Sequence, residues 1–223
     1  MTRIAYLGPA GTFTEQAARQ FDIAGAEYVP VDSPSAALAA LSRGADYAVC
    51  AIENSIDGAV TATSDALAAT SGVQIVGETE LSIAFAVMTA PGRTLADAAR
   101  LATHPVAYQQ VKCWLSKHAP NAKFVPAASN AAAAQMVADG QADVAVAPER
   151  AAELFGLEVH ATGVADSETA RTRFVLVAKQ GPLPAATGAD RTAVVLRTPN
   201  EPGALVGVLQ EFAARGVDMS RIE

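Results

Sequence analysis

The feature that most constrains the fold is that the chain repeats itself. Ser33 to Gly44 and Ser129 to Gly140 have the same separation, and each pair brackets an alanine-rich stretch. A hydroxyl cap before it and a glycine after it are the start and stop signals of a helix. Each glycine is followed closely by Ala-Asp (Ala45-Asp46, Ala142-Asp143), then by a short apolar strand and a glutamate, Glu53 or Glu149. Ahead of the first bracket lie a strand at Arg3 to Leu7, a helix at Phe13 to Phe21 and a strand at Glu27 to Val31. Ahead of the second lie a strand at Leu101 to Thr103, a helix opened by His104-Pro105 and running through Lys117, and a strand at Lys123 to Pro126. Two β-α-β-α-β units in matching order predict an α/β fold of two similar lobes.

Each unit is followed by a helix, the first near Ala59 to Thr70, and by two strand-like runs. These are Val73 to Gly77 with Leu81 to Thr89, and Leu157 to Thr162 with Phe174 to Ala178. Leu81 to Thr89 is expected to carry the chain into lobe two, and Phe174 to Ala178 to bring it back. Two crossovers make a hinge with a ligand cleft, the organisation of bilobal, periplasmic-binding-protein-like (type II) folds. Lobe one then takes about 1–78 plus 172–180, and lobe two about 79–171. Gly181 to Gly188 reads as a linker by composition, placed at 181–190. Beyond it come a strand at Arg191 to Arg197, a turn at Pro199 to Gly203 and a helix at Ala204 to Arg215. Met219 to Glu223 looks like the opening of another strand. A lone βα unit cannot bury both faces, so 191–223 reads as a truncated domain.

The totals exclude several classes. Of 223 residues 51% are hydrophobic and only 5% aromatic, which suits small-residue helices packed closely on a sheet. A net charge of −7 gives no electrostatic support to nucleic-acid binding. Cys50 and Cys113 read as unpaired thiols in a reducing cytosol, and three dispersed histidines give no zinc signature. Met1 to Tyr6 reads as a strand and not as a signal peptide, and no apolar run reaches membrane-spanning length. A cytoplasmic protein with no metal, nucleic-acid or membrane partner is expected.

The chemistry concentrates at Ser167-Glu168-Thr169-Ala170-Arg171-Thr172-Arg173, just ahead of the apolar run Phe174 to Val177. Hydroxyl and guanidinium groups at the mouth of a buried strand act on an anion with little solvent competition. Thr172 and Arg173 are therefore expected to face the cleft. Arg173 suits bidentate pairing with a carboxylate, and equally a structural ion pair with Glu53 or Glu149. Gly8-Pro9-Ala10-Gly11-Thr12 is neither a P-loop nor a dinucleotide fingerprint. It reads as an anion-binding turn or as an ordinary βα turn. Asn54 and Ser55 stand where a strand's carboxyl end meets the next helix, the ligand edge of an open α/β sheet, and also suit a helix cap.

With these motifs in place the chain resembles the prephenate dehydratases. The resemblance runs through Tyr6 to Glu15, Ile52-Glu53-Asn54-Ser55 with Gly58 and Val60, Thr103-His104-Pro105 with Gln110, and Thr172-Arg173-Phe174. Glu201-Pro202-Gly203-Ala204-Leu205 is similar to the ligand turn of an ACT module, a small α+β, ferredoxin-like amino-acid sensor. Ser220 to Glu223 is similar to the opening of its second motif. Ala51, Thr103, Val106 and Ala170 stand where the family more often has Pro, Ser, Gln and Asn. The resemblance implies conversion of prephenate to phenylpyruvate, CO2 and water in phenylalanine biosynthesis, without a cofactor. It implies Thr172 as the catalytic hydroxyl, and substrate contacts from Gly11, Thr12, Asn54, Ser55, Thr103, Gln110, Arg173 and Phe174. Gly203, Ala204, Leu205 and Glu223 would be part of a phenylalanine effector site, and a homo-oligomer, dimer or tetramer, is expected. The rival reading is a non-catalytic cytosolic bilobal ligand or amino-acid sensor.

Overall fold

Each lobe is built on three parallel strands with helices between them in the computed structural model, which describes residues 1–166 and 170–222. In lobe one these are β1 (Arg3–Leu7), α1 (Phe13–Gln20), β2 (Glu27–Val31), α2 (Pro34–Ser42) and β3 (Tyr47–Asn54). A two-residue β4 (Gly58–Ala59), α3 (Thr61–Ala69) and β5 (Val73–Ser82) complete the outward path. Lobe two follows with β6 (Ala86–Thr89), β7 (Arg100–Thr103), α4 (Pro105–Gln110), α5 (Lys112–His118), β8 (Lys123–Pro126) and α6 (Asn130–Ala138). Then come β9 (Val144–Ala147), α7 (Glu149–Phe155), β10 (Glu158–Thr162) and the return strand β11 (Arg171–Lys179).

The sheet orders are β2-β1-β3-β11-β5 and, read from the far edge, β8-β7-β9-β6-β10. Each is a first-lobe or second-lobe parallel trio closed by one antiparallel strand that belongs to a crossover. This is the expected type II bilobal arrangement, with β11 inserted in one sheet and β6 in the other. The repeat in the sequence has a shared physical meaning. Ser33 and Ser129 each accept the backbone N–H of the third residue on, Ala36 and Ala132, at 3.0 Å. Gly44 and Gly140 close their helices at φ +102 and +70, where a side chain is strained. Asp46 accepts the Arg3 amide at 2.8 Å, and Asp143 the Arg100 amide at 2.8 Å. Each Ala-Asp thus ties the third strand of its unit to the first.

The crossovers touch. Ile83 N donates to Ala170 O at 2.7 Å, and Val164 N to Phe85 O at 3.3 Å. One hydrophobic cluster runs through them, from Ile4, Tyr6 and Val49 past Ile83 and Phe85 to Leu101, Val144 and Val146. The outer faces have their own small-residue cores, Ala37, Leu38 and Leu41 in lobe one and Ala133, Ala134 and Val137 in lobe two. Burial pushes the Cys50 thiol up to about 12, whereas Cys113 is exposed.

Three local expectations are corrected. Val73 to Gly77 does not end at Gly77: one strand continues to Ser82, because Glu78 and Glu80 pair with Arg173 and Arg171 across β11 and keep a polar run on the sheet. The helix from Pro105 breaks at Val111, since the Asp166 carboxylate captures the amides of Cys113 and Trp114 and starts α5 afresh. Residues 184–223 form a separate unit, in which Arg191 to Arg197 is not a strand. Among the described residues of that unit no strand forms, and α8 (Ala204–Ala214) buries no residue.

Phe174 is 1% exposed and sits in the shared cluster, so a lining role in an open cleft is not what its burial describes. Phe174→Ala should cost about 3–5 kcal/mol of stability, read as a lowered urea midpoint. An unchanged midpoint would contradict this placement.

Candidate active site

The register of β11 decides which side chains meet. Thr172 lies opposite Asn54 of β3 on one side and Leu81 of β5 on the other, at the carboxyl end of β3. Asn54 Nδ2 donates to Thr172 Oγ1 at 3.0 Å. The amide cannot be turned round, because Asn54 Oδ1 already accepts the N–H groups of Ile56 (2.8 Å) and Asp57 (3.1 Å). With its oxygen receiving that bond, the Thr172 hydroxyl keeps its own proton to donate. Thr172 itself is buried.

The neighbours are fixed by the same ladder. Ser55 Oγ accepts the Arg171 amide at 2.9 Å, and Ser55 N donates to Arg171 O at 2.8 Å. Neither Asn54 nor Ser55 caps α3, whose N-cap is Val60 without a side-chain bond. Both residues shape the turn instead, since a two-residue β4 intervenes. Arg173 pairs with Glu53 at 3.0 Å and Glu78 at 3.1 Å, and so links three strands. Of the two structural partners read from the sequence, Glu53 is the one engaged; Glu149 opens α7.

The turn after β1 stands at the same sheet edge. Thr12 caps α1, its hydroxyl accepting the Glu15 amide and donating to Leu7 O, each at 3.3 Å. Gly11 N donates to Glu15 Oε2 at 2.6 Å. A side chain on Gly11 would meet Leu154 at 3.4 Å and Ala131 and Ala151 at 3.5 Å, so lobe one touches α6 and α7 of lobe two here. Within lobe two, Thr103 is fully buried and donates to Val146 O at 2.8 Å. Asn130 Oδ1 lies 3.3 Å from that hydroxyl and accepts the His104 amide at 3.2 Å. Gln110 Oε1 is buried without a hydrogen-bond partner among the described residues, an acceptor with capacity for a ligand donor. The structure thus joins Thr172, Asn54, Ser55 and Arg173 on one ladder. Thr103 and Gln110 stay in lobe two, and Phe174 in the core.

Sequence reasoning missed Glu15 as a site residue. Its carboxylate is 3% exposed and holds Arg19 at 2.7 Å and Arg150, from lobe two, at 3.5 Å. Burial alone would raise its pKa, but the Gly11 N–H, the Arg19 hydrogen bond and the Arg150 charge outweigh it and hold it lowered. Burial and the Glu15 charge push Tyr6 the other way, to about 12. The available signal was Thr12-x-x-Glu15, the spacing of a capping box, although Glu15 reaches back to Gly11 and not to the cap. Nothing in the sequence marked Arg150. A cavity of about 230 Å3 lies beside this cluster, lined by Phe13, Gln16, Phe85, Glu149, Arg150 and Thr162, and Thr172 does not line it.

A family model described as Prephenate dehydratase matches residues 4–182. The chain belongs to the prephenate dehydratase family. A curated prephenate dehydratase of Corynebacterium glutamicum is 55% identical over 229 residues, covering 100% of this chain and 73% of the relative. The solved prephenate dehydratase of Arthrobacter aurescens, in complex with L-Phe, is 40% identical with a TM-score of 0.92, covering 100% of this chain and 74% of that one. A solved quorum-quenching acylase, GqqA, is 32% identical with a TM-score of 0.78, over 99% of this chain and 80% of that one. Within the dehydratase family fold, the Asn54–Thr172 pair falls in the region that the family model covers.

Glu15 generates a prediction about stability and pH. A carboxylate held below its unfolded value, ordinarily about 4.3, stabilises the fold above that value, and the contribution is lost as pH falls through the folded pKa. Glu15→Gln should therefore lower stability by about 1–3 kcal/mol at neutral pH. The gap to the unaltered chain should narrow below about pH 4. Chemical denaturation across pH measures it, and a gap independent of pH would refute the assignment.

Proposed function

We propose that the chain is a carbon–oxygen lyase that converts prephenate to phenylpyruvate, CO2 and water, with Thr172 as the hydroxyl at the leaving group. The ring carboxylate departs as CO2, and its C–C bonding pair enters the ring. The ring C–O bond breaks, and the hydroxyl takes one proton and leaves as water. Aromatisation supplies the driving force, and no net oxidation or reduction occurs.

The observation that carries this reading is the direction of the Asn54–Thr172 hydrogen bond. A hydroxyl whose oxygen is already an acceptor presents its proton to the departing oxygen, where negative charge develops. A threonine hydroxyl is a very weak acid, so its proton is replaced as it is given, in a relay from water. Arg173 meets the side-chain carboxylate of the substrate by exchanging Glu78, its more exposed partner at 38%, for the ligand. Gly11, Thr12, Ser55 and Gln110 orient the ring as neutral groups, leaving the departing carboxylate unpaired, while Thr103, fully buried with its hydroxyl on Val146 O, supports the sheet edge from behind. L-phenylalanine is the effector in this reading, met in part by Gly203, Ala204 and Leu205 around the start of α8, while Glu223, the fourth residue expected there, lies outside the described residues.

The likeness to GqqA raises acyl transfer as the alternative chemistry. An activated nucleophile needs a base within hydrogen-bond reach, and the partner found on Thr172 is an amide. A sensor without catalysis would bind prephenate and release it unchanged. Incubation with prephenate, followed by phenylpyruvate absorbance in alkali, separates these readings. Thr172→Ala should lower kcat by about 10²–10⁴-fold with the fold intact, and Thr172→Ser should keep part of the rate. Near-normal turnover by the alanine variant would remove Thr172 from the mechanism.

A further inference from the structure

A charged contact between Glu15 and Arg150 spans the lobes at the β1–α1 turn and is unexplained by the chemistry above. Arg19 already neutralises Glu15, but both lie on α1 and move together. Arg150 stands on α7 of lobe two and reaches the same oxygen, Glu15 Oε1, at 3.5 Å. Its other contact, Glu153 on its own helix, is 3.8 Å away and 73% exposed. Arg150 Nε is buried with no hydrogen-bond partner among the described residues. The guanidinium is therefore held loosely, with one donor unused, beside a carboxylate that is 3% exposed. Around this contact the lobes are otherwise joined by Gly11 against Ala131, Ala151 and Leu154, and by Phe13 against Phe85 at 5.6 Å between ring centres.

The consequence runs through a short chain of bonds. Glu15 Oε2 holds the Gly11 amide at 2.6 Å, so whatever fixes Glu15 fixes the turn. That turn follows β1, which pairs directly with β3, whose last residue is Asn54. We propose, resting on the dehydratase reading, that Arg150 is a positioning residue for the reaction: it grips Glu15 across the lobes and thereby sets the Gly8–Thr12 turn beside the Asn54–Thr172 pair. The Arg150–Glu15 contact, at 3.5 Å, sits at the edge of hydrogen-bond range, so a small closing motion of the lobes shortens it. Glu15 is 3% exposed and Arg150 34%, so the shortened pair is only partly screened by solvent. The bond is thus strongest when the two halves of the site are brought together, which ties lobe closure to the geometry of the turn.

The test is a set of variants of the full chain assayed with prephenate. Arg150→Gln should lower kcat by about tenfold to a hundredfold, the range of a small misplacement, with KM changing much less. Arg150→Lys should recover part of the loss. In the double variant Glu15→Gln/Arg150→Gln the loss should be no greater than in Glu15→Gln alone, since both remove one link. Glu153→Gln should turn over normally. A normal kcat in Arg150→Gln, or losses that multiply in the double variant, would overturn the proposal. A readout without turnover separates this from the dehydratase reading. Exchange of the Gly11 amide with deuterium should quicken by about tenfold in Arg150→Gln if the bridge holds the turn. Unchanged exchange would overturn the bridge, whereas absence of phenylpyruvate from the unaltered chain would overturn the dehydratase reading and leave the exchange result to judge the bridge.

Discussion

The structure depends on the antiparallel seating of β11 between β3 and β5. The strand arrives from lobe two and enters the middle of a sheet built from the first third of the chain. Its ladder fixes Thr172 opposite Asn54, with a register shift between Arg173 and Phe174 that lets the apolar end and the polar end keep separate neighbours. Phe174, Val175, Leu176 and Val177 are buried, so the ladder cannot slip by one residue without turning that run to the wrong faces. The ion pairs of Arg173 with Glu53 and Glu78 pin the polar end across three strands. The site is thus positioned by the packing of the same strand that carries it.

A second constraint follows from the first. A chain that leaves lobe one and returns to its centre must pass between the lobes twice, and the two passages hydrogen-bond to each other at Ile83–Ala170 and Phe85–Val164. The shared apolar cluster makes this junction part of the core and not a free tether. The contact of Glu15 with Arg150 lies beside this junction, at a cavity that Phe85 of the outward passage also lines. The chain's net charge of −7 opposes a dianionic substrate at a distance. Affinity in the proposed reading must then come from local donors at the sheet edge.

Much of this was legible in the sequence because the signals were local. The two Ser-to-Gly brackets specified helices with the caps found, and the Ala-Asp after each proved to bind the first strand of its unit. The resemblance to the family named Thr172 and Asn54 separately as site residues, and the contact between them comes only from the strand pairing. What was not legible depended on partners distant in the chain. Glu80 and Glu78 look like a break in a strand until Arg171 and Arg173 stand opposite. Asp166 restarts a helix more than fifty residues earlier in the chain. Arg150 carries no local mark at all, because its meaning lies in Glu15 of the other lobe. Arg191 to Arg197 shows the reverse error: a strand-like composition is not by itself a strand, because strand preference depends on context.

The direction of the Asn54–Thr172 bond is the claim on which the catalytic account turns, and Asn54→Asp tests it most directly. The carboxylate keeps the shape of the side chain and still accepts the amides of Ile56 and Asp57, but it has no donor. Thr172 must then give its proton to residue 54, away from the leaving group. The account predicts that steady-state turnover of prephenate by Asn54→Asp falls by about 10²-fold or more at neutral pH while the fold is retained. Turnover close to that of the unaltered chain would show that the proton of Thr172 is not what the reaction uses.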